Sequence, residues 1–167
     1  MIRLQGEHVW EIDYDDIEFN YEIGRGGSGS IWHCSWRNAT VAVKCLTTPF
    51  PVASNNREED SRTIEREIEI LSGLRHPNIV TYLGACRPPP SWCLVMEYCR
   101  RGSLENVLYN QPEVKMGIIR KLRFLIHIVR GMTYLHSQTP CIIHRDLKPA
   151  NLLVADDFTV KGTTFVC

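Results

Sequence analysis

The chain of 167 residues has no surplus of either charge, with 19 Lys and Arg against 19 Asp and Glu. No net field therefore draws it to nucleic acid, and no basic cluster marks a membrane-surface patch. It also lacks a long uninterrupted hydrophobic run. The most apolar stretch, 118–135, carries Arg120, Lys121, Arg123 and Arg130, which would be costly in a bilayer, so it reads as a buried helix. The first ten residues mix Arg3, Gln5, Glu7 and His8 among apolar neighbours and lack the hydrophobic core of a secretion signal, which predicts a cytoplasmic chain. Seven cysteines form no C-x-x-C pair. Their odd number and scattered spacing argue against a zinc knuckle and a disulfide framework and leave reduced thiols as the expectation. No internal repeat or low-complexity segment is visible.

What is present suffices for a core: 44% of the residues are hydrophobic, in a chain of one ordinary domain's length. Alternating apolar residues predict strands over 17–23, 31–35 and 40–46, joined by short polar or glycine-rich turns as an antiparallel meander. Residues 47–62, with Pro49, Pro51, Asn55 and Asn56, read as a loop. From about 61 to 74 the period becomes helical, with Ile64, Ile68, Ile70, Leu71 and Leu74 on an arc of about 160°. Glu67 falls inside that arc, where a carboxylate needs a cationic partner, while Glu65 and Glu69 fall on the solvent face. Two further strands are expected at 79–83 and 92–98 around Pro88-Pro89-Pro90, then a linker at Arg100-Arg101-Gly102. A short helix over 103–109 and a long one over 113–137 follow, the latter with Ile118, Leu122, Leu125, Val129, Met132 and Leu135 on one side.

Three strings carry chemistry. Residues 144–151 read His-Arg-Asp-Leu-Lys-Pro-Ala-Asn, a carboxylate, an ammonium and an amide within six positions, suited to accepting a hydroxyl proton and holding a phosphoryl group and a metal. Residues 24–31 read Gly-Arg-Gly-Gly-Ser-Gly-Ser-Ile. A dinucleotide fold would need those glycines to open a helix, whereas a strand follows here. Val41-Ala42-Val43-Lys44 lies one strand later.

In these three strings the chain resembles the protein kinase superfamily: H-R-D-L-x-x-x-N is matched at every specified position, beside a Gly-rich loop and a V-A-I-K-like strand. The resemblance spans about 17–161. It implies an α+β, two-lobed protein-kinase-like fold with a five-stranded antiparallel N-lobe sheet plus one helix and an incomplete helical C-lobe. In that plan 1–16 is a lead-in, 17–98 the N-lobe and 99–167 a partial C-lobe. The implied activity is ATP-dependent transfer of the γ-phosphoryl to Ser or Thr hydroxyls of protein substrates in intracellular signalling, with ATP and Mg2+ as cofactors.

By the same resemblance Asp146 accepts the substrate proton, Lys148 marks the serine/threonine form of the loop, and Asn151 holds a metal ion. Lys44 reaches the α- and β-phosphates and pairs with Glu67, the residue that periodicity had put on the apolar face. Gly24, Gly26, Gly27, Ser28 and Gly29 cover the phosphates, and Ile31, Ala42, Met96, Glu97 and Cys99 surround or bond the base, Met96 as gatekeeper and 97–99 as hinge. His144 and Arg145 are architectural. Residues 12–17 with Trp32 and Trp36 suggest the tyrosine-kinase-like group. The pattern departs from the family after Val160-Lys161, where Gly162-Thr163-Thr164 replaces the run towards Asp-Phe-Gly; Asp157-Phe158 is a decoy, followed by Thr159 in place of glycine. A truncated gene model, an alternative exon end or a premature stop would each produce this. The implied chain is a fragment inactive by itself, with the stripe 118–135 partly uncovered, poorly soluble or chaperone-bound. The alternative is a nucleotide-binding or protein-binding pseudokinase scaffold.

Overall fold

The computed structural model describes residues 10–26, 29–46, 65, 68–86 and 92–164. Contacts divide these into two compact units. The described residues up to Leu74 together with Tyr82–Tyr98 form the first, and Arg75–Thr81 with the described residues from Cys99 onward form the second.

The first unit is a five-stranded antiparallel sheet of β1 (Ile17–Gly26), β2 (Gly29–Trp36), β3 (Ala39–Leu46), β4 (Tyr82–Cys86) and β5 (Cys93–Glu97), in the order β1-β2-β3-β5-β4. The β2–β3 hairpin turns on Arg37 and Asn38, both at positive φ (47° and 64°), the conformation of a two-residue turn that follows the twist of the strands. Period-two alternation sorts the strands' side chains between two faces. One face buries Cys34, Val41, Val43, Cys86, Cys93 and Val95 in a core that Ile12 and Ile17 complete. The described part of the lead-in, from Trp10, is thus part of the unit. The Ile12 N–H donates to the Ala85 carbonyl (2.8 Å), and the Ala85 N–H donates to that of Trp10 (2.9 Å). A Cβ on Gly84 would stand 2.2 Å from the Trp10 oxygen, so only glycine lets the backbones come this close. Helix α1, described at 65 and 68–73, buries Ile68 and Leu71, as does Leu74 just after it, but leaves Ile70 43% exposed. The apolar arc is therefore narrower than its sequence spacing suggested.

The strand expected at 79–83 begins instead at Tyr82, because the preceding residues are bonded elsewhere. Asn78 donates its side-chain amide to Val160 O (3.0 Å) and accepts from Gly162 N–H (2.9 Å), while Val80 N–H donates to Gly162 O (2.9 Å). These bonds belong to the second unit, which contains α2 (Leu104–Tyr109), α3 (Ile118–His136) and the hairpin of β6 (Leu152–Val154) and β7 (Val160–Gly162). Ser103 caps α2 by accepting the Asn106 N–H (3.1 Å). Its core joins Leu104, Val107, Val114, Phe124, Leu152, Val154 and Val160. Helix α3 starts five residues later than expected, with Gly117 in extended backbone as its N-cap; glycine inside the helix would cost about 1 kcal/mol.

Of the expected stripe the helix buries Leu135 and half-buries Met132, but the rest of it is exposed and another line is buried in its place. Phe124, Gly131 and Leu135 face the core, whereas Ile118, Leu122, Leu125 and Val129, together with Ile119 and Ile126, are exposed. Gly131 sets the rotation: a Cβ there would lie 2.6 Å from Asn78 O, so no larger side chain permits this contact. The exposed residues span roughly 120° of the helix, bordered by Lys121 on one side and Arg123 and Arg130 on the other. No described helix is long and apolar enough to cross a membrane.

Candidate functional site

The sequence-predicted residues fall into two groups, one in each unit. In the first unit the β1–β2 register pairs Gly24 with Ile31 and Gly26 with Gly29; Gly27 and Ser28 lie outside the described residues. Gly29 has φ +142° and its added Cβ would lie 2.1 Å from Cys45 O, so the hairpin root requires glycine. Around Gly24 and Gly26 an added Cβ would meet nothing within 4 Å. Among the described residues no steric demand calls for glycine at these two positions, and the described residues leave the space beside them open to an approaching group.

Register carries the pattern across the sheet. Ile31 stands opposite Lys44, and Lys44 opposite Leu94; His33 stands opposite Ala42, and Ala42 opposite Met96. Laterally paired residues share a face, so Ile31, Ala42, Lys44 and Met96 lie together on the face away from the Cys34 and Val43 core. Lys44 is only 7% exposed, and an ammonium so buried requires a compensating partner. Glu67 lies outside the described residues. Glu97 closes β5 half-buried, and Cys99, in the second unit, is buried with its carbonyl accepting from Gly102 N–H (3.0 Å).

Sequence reasoning missed an aromatic group on that face. The His33 ring stacks on Tyr21 with centroids 4.6 Å apart and meets Tyr98 edge-on at 4.7 Å. Counting alternate residues from Ile31 along β2 would have put His33 there.

In the second unit the loop 144–151 folds back on itself. Pro149 opens a 3-10 turn, Pro149–Asn151, its fixed φ suited to that first position. The turn returns Asn151 to Asp146. One carboxylate oxygen, Asp146 Oδ2, accepts from Lys148 Nζ (2.8 Å) and from Asn151 Nδ2 (2.8 Å), and Asn151 Nδ2 also reaches the Asp146 carbonyl (2.9 Å). The Lys148 ammonium, followed by the Asn151 amide, holds the Asp146 carboxyl below its usual range. Its side chain is nonetheless 60% exposed, so an ionised oxygen faces solvent, available to a hydroxyl donor. Arg145 adopts the left-handed region (φ 61°), an uncommon conformation for a long side chain and one that clusters at functional loops. His144 is buried, and burial lowers its pKa, leaving a neutral ring. Thr163, just after β7, braces the loop: its hydroxyl donates to Asn151 O (2.9 Å). Nothing around Thr163 in the sequence marks that role.

Asp157 shapes the β6–β7 turn, accepting from Thr159 N–H and Oγ1 (both 2.9 Å), while Arg101 lies over the Phe158 ring at 3.8 Å. Among the described residues no group of three or more His, Cys, Asp or Glu side chains could hold a metal ion. The oxygen donors of Asn151 and Asp146 are hard ligands, too few for a resident ion but suited to magnesium that arrives with phosphate and water oxygens.

Comparison with known proteins identifies a family. The protein kinase domain family matches residues 17–165. The chain is 43% identical over 166 residues, 99% of its length, to "Probable serine/threonine-protein kinase drkD" of Dictyostelium discoideum, of which it covers 12%. It is 38% identical over 156 residues, 93% of its length, to "Probable serine/threonine-protein kinase drkA" of the same organism, covering 23% of that protein. The chain spans less than a quarter of either relative. With its Gly-rich hairpin, its buried strand lysine and its Asp-Lys-Asn cluster, the chain belongs to the protein kinase domain family, whose members use ATP and a divalent metal.

Proposed function

We propose that this chain is the nucleotide-binding and acceptor-binding part of a serine/threonine protein kinase, which transfers the γ-phosphoryl group of ATP to protein hydroxyls. The observation that carries the reading is the convergence of Lys148 and Asn151 on Asp146 Oδ2. Asp146 orients the acceptor hydroxyl and takes its proton; Lys148 offsets charge on the transferring group. Lys44, paired with Glu67, grips the α- and β-phosphates. Gly24 and Gly26, with Gly27, Ser28 and Gly29, let backbone amides approach the phosphates, and Ile31, Ala42 and Met96 contact the base while the backbone of Glu97 and Cys99 bonds its edge. Asn151 holds Mg2+ with the phosphates, and the bound ion neutralises their charge. Lys148, two residues after Asp146, and the names of both relatives favour Ser or Thr as acceptor. A cytoplasmic place of action, where ATP is plentiful, goes with this reading, and the exposed apolar face of α3 supports association with a chaperone.

Phosphoryl transfer from labelled ATP to a Ser/Thr-rich protein tests the reading: Asp146→Asn should cut the rate about 10²- to 10⁴-fold. Transfer at an equal rate in that variant would refute it. A second reading, a nucleotide-binding module without transfer, is favoured by Gly162-Thr163-Thr164 standing where a second metal carboxylate is expected. It predicts the same ATP-induced rise in melting temperature with and without magnesium and no labelled product. No rise under either condition would remove both readings.

A further inference from the structure

Three thiols stand abreast on the core-facing side of the first unit's sheet. The register sets Cys45 of β3 opposite Cys93 of β5, and Cys93 opposite Cys86 of β4, so the three side chains leave the sheet on the same side. Cys45 Sγ and Cys93 Sγ are 3.2 Å apart, whereas Cys86 Sγ is 3.9 Å from the Cys93 carbonyl oxygen. All three are free thiols. The Leu46 N–H donates to Trp92 O at 3.0 Å, which makes 46 and 92 a hydrogen-bonded pair and the adjacent 45 and 93 a non-hydrogen-bonded one. Such pairs bring their Cα atoms to about 4.5 Å and their side chains closest together. That spacing lies inside the roughly 4.4–6.8 Å range of disulfide-bonded residues, and the sulfurs need to close by only about 1 Å to bond.

We infer that Cys45 and Cys93 form an oxidative modification site, closed to a cross-strand disulfide by a peroxide. Cys45 is the less buried of the two and meets the oxidant. Its sulfur takes one peroxide oxygen, the O–O bond breaks, and water leaves behind a sulfenic acid. The Cys93 sulfur then displaces the hydroxyl, which departs as water with the Cys93 proton. Two thiols and one hydrogen peroxide thus become one disulfide and two waters. The hydrogen bond with Cys93, then burial, raises the Cys45 thiol. Cys93 is drawn down by Cys45 but pushed up further by Cys86 and burial, to about 12. Both thiols stay protonated at neutral pH, so closure is slow, the behaviour of a lasting mark more than of a fast sensor. Once formed, the bond ties β3 to β5 one residue from Lys44.

The test uses the whole chain with Cys141→Ser and Cys167→Ser, exposed to hydrogen peroxide, blocked with N-ethylmaleimide and digested without reduction for mass spectrometry. Chain statistics and fold predict opposite products. In urea, closing the 7-residue separation of Cys86 and Cys93 is favoured about twentyfold over the 48-residue separation of Cys45 and Cys93. In the folded protein the Cys45–Cys93 linked peptide should dominate, persist in Cys86→Ser and vanish in Cys93→Ser. A folded sample that yields chiefly Cys86–Cys93, or in which Cys45 proceeds to sulfinic acid without any linked peptide, would overturn the assignment.

Discussion

At the residue scale the chemistry turns on Asp146. Its depressed pKa, set by Lys148 and then Asn151, means that the carboxylate stays ionised throughout the range above its ordinary value of 3.8 and is lost only on stronger acidification. Lys148→Met removes the first of these causes and should move the Asp146 titration upward, towards 3.8. A carboxyl-carbon NMR titration reads this directly, and an unmoved midpoint would assign the shift to Asn151 alone. His144 acts in the same direction at higher pH, but through burial instead of ionic partners. Burial lowers its folded pKa below the ordinary 6.5, so between those two values the unfolded chain binds the extra proton. Its contribution is therefore present above about 6.5 and fades as pH falls through that value. His76 and His127, also lowered chiefly by burial, act in the same direction. His144→Phe should lessen the drop in melting temperature between about pH 7.5 and about pH 5.5 without abolishing it; an unchanged drop would clear His144 of the effect.

At the scale of the element, α3 separates packing from exposure within one helix. Phe124, 3% exposed, should cost about 3–5 kcal/mol of stability on change to Ala. Leu122→Glu and Leu125→Glu, on the exposed side, should leave chemical-denaturation stability nearly unchanged while reducing light scattering of the concentrated protein. A large stability loss in the Glu variants would show that this face is packed. The same helix shows what its sequence reveals and what it conceals. Its existence was legible from the apolar period, but its rotation was not, because two apolar lines run along it and the close approach of Gly131 to Asn78 O, which goes with one of them, has no apolar signature. The strands were more legible: alternation located β1, β2 and β3, and counting from Lys44 fixes which residues share its face. The thiol row was hidden, since neighbours across β3, β5 and β4 come from segments that no local pattern connects. Of the catalytic loop, the residue types were readable, but the bond that Thr163 makes to Asn151 O depends on a fold-back visible only in three dimensions.

For the whole molecule, the described residues pass between the two units three times, after Leu74, after Thr81 and after Tyr98. The last passage was foreshadowed by the polar linker at 100–102. The first two were not, because residues 78–80 find their partners at 160–162 and periodicity does not name a partner so distant. A polypeptide ending at Tyr98 would carry Ile79 and Val80, here 1% and 0% exposed, without the strand they bond. We expect residues 10–98 alone to scatter light and 99–164 co-expressed with them to restore solubility; a clear, monomeric 10–98 fragment would contradict this. The lead-in has a consequence of its own. In a sheet ordered β1-β2-β3-β5-β4, β4 would otherwise offer an unclaimed rim of amides and carbonyls to any extended peptide nearby. Trp10 and Ile12 already bond Ala85 on that rim, so fibril-like stacking of copies through β4 must first strip away a stretch of the protein's own chain.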